Sequence, residues 1–71
     1  MSHFPARDFP PDGVEDAIAY IDGLPSNVRN VHVHVWEGDG WRFVWGGDRE
    51  FVQQTLGALV NGHRFRLQDR E

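Results

Sequence analysis

Residues 31 to 35 read Val-His-Val-His-Val. Strict alternation of a β-branched apolar residue with a polar one is the period of a strand buried on one face only. Residues 41 to 45 alternate as well, with Trp41, Phe43 and Trp45 on one side and Arg42 and Val44 on the other. Gly38-Asp39-Gly40 between them is a turn signal, so residues 30–46 are expected to form one antiparallel hairpin. A three-residue loop places Val31, Val33 and Val35 on the same face as Trp41, Phe43 and Trp45, with Gly40 in the left-handed position of a G1 bulge. A one-residue slip would break up that apolar face. The expected core face is therefore the three valines with Trp41, Phe43 and Trp45. The reverse face then shows His32, His34, Trp36, Arg42 and Val44. In this register Trp36 and Arg42 are cross-strand neighbours, within reach of a cation–π contact of about 0.5–1 kcal/mol.

Helical spacing flanks the hairpin on both sides. Val14, Ala17, Ile18 and Ile21 form one stripe in a helix expected to start at Asp12, where Asp12 and Glu15 have capping-box spacing. Gly23 and Pro25 end that helix. Asp48 is placed to cap a second helix, whose buried stripe is Val52, Leu56, Leu59 and Val60 and whose stop is Asn61-Gly62. Residues 63–68 alternate again and read as a short third strand with Phe65 and Leu67 inward. Pro5, Pro10 and Pro11 make residues 1–11 an extended N-terminal arm, with Phe4 and Phe9 tucked against the core.

The expected fold class is α+β: a small two-layer sandwich of order α-β-β-α-β with two helices on one face of the sheet. The second helix is a crossover, so the third strand should run parallel to the second and lie beside the first, giving the order 2-1-3. This layout resembles a ferredoxin-like sandwich lacking its first strand, a likeness of architecture that carries no function with it.

Length and charge bound what such a chain can do. Its 71 residues make a single domain, and a chain this short buries only about 60% of the surface its unfolded form exposes. No cysteine is present, which removes disulfides and thiolate metal sites. The formal net charge is −4, which argues against general affinity for a nucleic-acid backbone. All seven basic residues are arginine, which reads mainly as codon bias. No apolar run approaches the roughly 18 residues of a membrane span. The N-terminus has no signal-peptide pattern, so a cytoplasmic location and no membrane partner are expected.

Chemistry-bearing groups are few. The hydroxyl side chains are Ser2, Tyr20, Ser26 and Thr55, none in a nucleophile context, so no enzyme and no cofactor are expected. His32-x-His34 puts two imidazoles on one side of a strand, about 7 Å apart at Cα. Zinc wants three or four ligands, and only His63 or His3 is available to complete the set. The pair reads first as surface histidines and only secondarily as a metal site. Gly46-Gly47-Asp48 lacks the spacing of a phosphate-binding loop and reads as turn and cap.

Two surfaces remain. The open sheet face is expected to show His32, His34, Trp36, Arg42, Arg64 and Arg66, the residue types of a protein-interaction hot spot and also of a single-strand stacking platform. The first helix carries Asp12, Glu15, Asp16 and Asp22 on its outer side, a stripe suited to mimic phosphates toward an arginine-rich groove. In type the chain resembles small, acidic, cysteine-free inhibitors encoded by phages, anti-CRISPR proteins among them; the likeness rests on size, charge and composition. The expected function is a non-catalytic protein-binding protein, an inhibitor of nucleic-acid-handling machinery that acts by surface occupation or acidic mimicry. The alternatives are a nucleic-acid-binding module using the sheet face and a His-x-His metal-binding protein. A homodimer through the open sheet face is a further expectation.

Overall fold

The computed structural model describes residues 5–69. The element order is β1 (Arg7–Phe9), α1 (Val14–Asp22), β2 (Asn30–Trp36), β3 (Trp41–Asp48), α2 (Arg49–Val60) and β4 (Phe65–Asp69). The four strands form one antiparallel sheet in the order β1-β4-β2-β3. Within it, β3-β2-β4 is the expected 2-1-3 arrangement. Since β2 is antiparallel to both neighbours, β3 and β4 run parallel, as the helical crossover requires. The crossovers interlock. The β1-α1-β2 unit leaves a gap that β4 fills, and the β3-α2-β4 unit leaves one that β2 fills.

The arm is the first departure from expectation. Residues 7–9 are an edge strand pairing with β4, Arg7 opposite Leu67 and Phe9 opposite Phe65. Three residues between prolines suffice, because an edge strand needs partners on one side only. The arm thus supplies a first strand, but at the sheet edge beside β4, where a ferredoxin-like sheet has its first strand in the centre, so the ferredoxin-like analogy does not hold. Phe9 does tuck into the core, stacked on Phe65 at 5.3 Å between ring centroids; Phe4 lies outside the described residues.

The core is aliphatic apart from the stacked Phe9 and Phe65. Val31, Val33, Val35, Phe65 and Leu67 of the sheet are fully buried against Ala17 and Ile21 of α1 and Val52, Leu56 and Val60 of α2. Each such side chain contributes about 1.5–3 kcal/mol by leaving water. Helix α1 begins at Val14, not Asp12. Gly13 is its N-cap, its carbonyl accepting from the Ala17 N–H at 2.9 Å, and no side-chain cap forms, so the Asp12/Glu15 capping box is absent. Asp48 caps α2 as expected, accepting from the Glu50 and Phe51 N–H groups. Asn61, left-handed at φ 46°, ends that helix.

Arg49 binds the two halves together. Its guanidinium donates to the carbonyls of Ile21, Leu24, Pro25 and Val28 at 2.7–3.1 Å. Ile21 and Leu24 lie at the C-terminal end of α1, where carbonyls lack helical partners and a cation is favoured.

The hairpin register overturns the expected one. Trp36 pairs with Trp41, Val35 with Arg42 and His34 with Phe43, so the connection is the four-residue Glu37–Gly40. Glu37 N–H donates to Gly40 O, and the left-handed residue is Gly38 at φ 98°, not Gly40. A bulge at Val44 then lets Val33 face Trp45. Trp41 and Phe43 are thereby moved to the face opposite the valines. Trp45 stays on the helix side but lies over the rim, 42% exposed and 5.7 Å from the Phe51 ring. Trp41, Phe43 and Trp45 are therefore not core. The helices fill the space above the valines with aliphatic side chains, and close packing leaves no volume for three large aromatic groups.

Candidate functional site

Both helices cover the valine side, so among the described residues the other side of the sheet is left open. It collects Asp8 from β1, Arg66 from β4 with Arg64 just before it, His32, His34 and Trp36 from β2, and Trp41 and Phe43 from β3. Cross-strand pairing sets the rows: Asp8 beside Arg66, Arg66 beside His34, His34 beside Phe43.

The rings on this face engage each other edge-on. His32 and His34 both meet Phe43, at 5.2 and 5.4 Å between centroids. Trp36 meets Trp41 at 5.3 Å, also T-shaped. This is the favoured geometry of ring quadrupoles, worth about 0.5–1.5 kcal/mol per aromatic pair beyond area burial. Phe43 is the most exposed of them, at 52%. Gly46 makes room for His32: a Cβ there would stand 2.4 Å from the imidazole Cδ2. Gly47 does the same for Trp45 on the helix side, where a Cβ would stand 2.9 Å from the indole nitrogen. The two glycines are seats for rings within β3, beyond the turn and cap role expected of them.

Asp8 is the electrostatic centre of the other half of the face. It accepts from Arg66 Nε at 2.6 Å and lies 3.5 Å from Arg64 Nη2. The Arg66 hydrogen bond, with the two guanidinium charges behind it, holds the Asp8 carboxyl below its usual range against the opposing effect of burial. The Arg66 guanidinium also lies over the Trp41 ring, 4.1 Å from its centroid, with Arg64 at 5.8 Å. His34 has a buried Nδ1 with no hydrogen-bond partner. Burial, then the nearby His32 and Arg66 charges, push its pKa below 6.5.

Of the residues expected on this face, His32, His34, Trp36, Arg64 and Arg66 are brought together. Arg42 is not: it pairs opposite Val35, on the other side of the sheet, and forms an ion pair with Glu37 at the turn. Trp36 therefore neighbours Trp41 and not Arg42. Trp41, Phe43 and Asp8 belong to the face and were not expected there. Both histidines pack their rings against Phe43, and His63 Nδ1 lies against the Val60 carbonyl at 3.1 Å. Among the described residues no group of three or more His, Asp or Glu could hold a metal ion; His3 lies outside them. Asp12, Glu15, Asp16 and Asp22 are all exposed, Asp12 just ahead of α1 and the other three along it. Among the described residues no helix is long and apolar enough to cross a membrane.

Comparison with family models, with curated proteins and with solved structures gives no match.

Proposed function

We propose that this is a non-catalytic binding protein that works by laying the open face of its sheet on a partner protein. The observation that supports it is the cluster of His32, His34, Trp36, Trp41 and Phe43, with Arg64 and Arg66, on the face that no helix or strand of the described residues covers. Aromatic and arginine side chains are the residue types that concentrate at interface centres. Two details favour protein over single-stranded nucleic acid. Arg66 already lies over the Trp41 ring, which takes one face that a base would stack on. Asp8 also offsets the charge of the two arginines.

A second surface serves the same role in an inhibitor of nucleic-acid-handling machinery. Asp12, Glu15, Asp16 and Asp22 are all exposed, and a group of carboxylates on and just ahead of one helix offers negative charge to an arginine-rich groove. This is the phage-type inhibitor reading, acting in the cytoplasm.

The test is affinity capture with the wild-type chain, followed by calorimetry on the purified partner. Replacing Trp36 and Trp41 with Ala should weaken binding at least tenfold while the fold survives, as for a hot-spot pair. Reversing Asp12, Glu15 and Asp16 to Lys should do so if the acidic side is the one used. Full binding by both variants would sink the proposal. A low-salt gel shift with single strands, lost on changing Arg64 and Arg66, would replace it with the nucleic-acid reading.

A further inference from the structure

Strand β3 is the long edge of the sheet, paired with β2 on one side only. Its outward backbone groups can be placed from both ends. Trp36 N–H donates to Arg64 O at 2.8 Å, so β2 turns toward β4 there, the Trp36–Trp41 pair is of the non-hydrogen-bonded kind, and Trp41 points its N–H and C=O outward. Alternation makes Phe43 outward as well. At the far end Arg49 N–H donates to Arg29 O at 3.1 Å, so Arg49 faces inward and Asp48 and Gly46 face outward. The bulge at Val44 absorbs the change of phase.

Side-chain faces follow the same plan. Trp41, Phe43, Gly46 and Asp48 belong to the open face; Arg42, Val44, Trp45 and Gly47 belong to the helix side. Both sequences, of outward groups and of faces, read the same from either end of the strand, with their centre between Val44 and Trp45.

We infer that β3 pairs antiparallel with β3 of a second copy about that centre, joining two four-stranded sheets into one. Trp41 then meets Asp48 of the second copy, Arg42 meets Gly47, Phe43 meets Gly46 and Val44 meets Trp45, each matched in face. The bulge itself names the occupant. An ordinary strand would fall out of step at Val44, which is how bulges protect edges. A second copy brings its own bulge to the same point, so the extra residue is matched. No like charges oppose, since the strand's only charged residues, Arg42 and Asp48, meet Gly47 and Trp41. The pairing also covers an unusual concentration of apolar surface. Phe43 (52% exposed), Trp45 (42%) and Phe51 (46%), the exposed large hydrophobic side chains of the described residues, all flank this edge. An isologous contact of this kind closes on itself and does not propagate. It takes up Phe43 at the rim of the open face and leaves His32, His34 and Arg66, on the inner strands, uncovered, so it does not depend on the partner-binding reading.

The test is sedimentation equilibrium from micromolar to millimolar protein, with amide hydrogen exchange followed by NMR. The mass should double from 8.2 kDa as concentration rises. The Phe43 and Gly46 amides should be protected in the dimer and exchange freely on dilution. Trp45→Lys should abolish the doubling. If that variant fails to fold, Phe51→Lys, which leaves the strand intact, should abolish it instead. A single-chain mass at millimolar concentration would overturn the inference. So would a dimer in which the Phe43 and Gly46 amides stay unprotected, or one that persists in both lysine variants.

Discussion

The two sides of one sheet are built on different rules. Under the helices, Val31, Val33, Val35, Phe65 and Leu67 are sealed from water, and Phe65 is the largest side chain that is fully buried. On the reverse of the same strands stand His32, His34, Trp36 and Arg66, half-buried and held by edge-on ring contacts and an ion pair. A covered face must fit helices at fixed spacing, where even one methylene is felt. An open face has no lid to fit, so it can carry bulky, polarisable and charged groups. The aromatic side chains of β3 therefore mark where the core ends.

Three measurements can break or sharpen that contrast. The largest effect belongs to the covered side. Leu56→Ala should cost about 2–5 kcal/mol in urea unfolding, because the site is packed on every side. A loss below 1 kcal/mol would mean that the covered side is loosely packed and the contrast is false. Gly46→Ala acts from the open side. Its Cβ would displace the His32 ring, costing about 1–3 kcal/mol, with the His32 and Phe43 ring resonances shifting most in NMR spectra. Unmoved rings would show that His32 has no fixed seat. The smallest effect is the pH response of His34. Its folded pKa lies below 6.5, so the unfolded chain binds the proton first. Stability is full above pH 6.5, falls as pH drops from there toward the folded pKa, and levels off below it. His34→Gln should flatten that part of the curve; an unchanged slope would assign the response to other groups.

Much of the fold was legible in the sequence. The valine alternation, the Asp48 cap, the Asn61-Gly62 stop and the Phe65/Leu67 parity each depend on local chemistry, and each stands where it was expected. What failed depends on tertiary fit. The face of Trp41 and Phe43 turned on whether Gly38-Asp39-Gly40 closes the hairpin alone or with Glu37, and on a bulge at Val44 that leaves no mark in composition. Gly46 and Gly47 were the available signal: two glycines inside a strand often mark a bulge or a close approach. Strand β1 was hidden between prolines, which suit an edge and also suit an unstructured arm. Arg49 had no sequence signature at all, since its four carbonyl partners lie in α1 and the loop after it, 21 to 28 residues earlier in the chain. Of the open face, the residues of β2 and Arg64 and Arg66 were placed by parity, and Asp8, Trp41 and Phe43 were missed with the elements that carry them.

The interlocked crossovers dictate an order of assembly. Only the β2–β3 hairpin joins strands adjacent in sequence; β4 must slot between β1 and β2 to complete the sheet. Local pairs form early and distant ones late, because loop closure has to come before the contacts that reward it. On the ribosome the hairpin and both helices can emerge and remain without a closed core until residues 65–69 are released. Until then the edge of β2 that β4 pairs with is open and the valines lack Phe65 and Leu67 beside them, which leaves the nascent chain a template for chaperones or for misassembly.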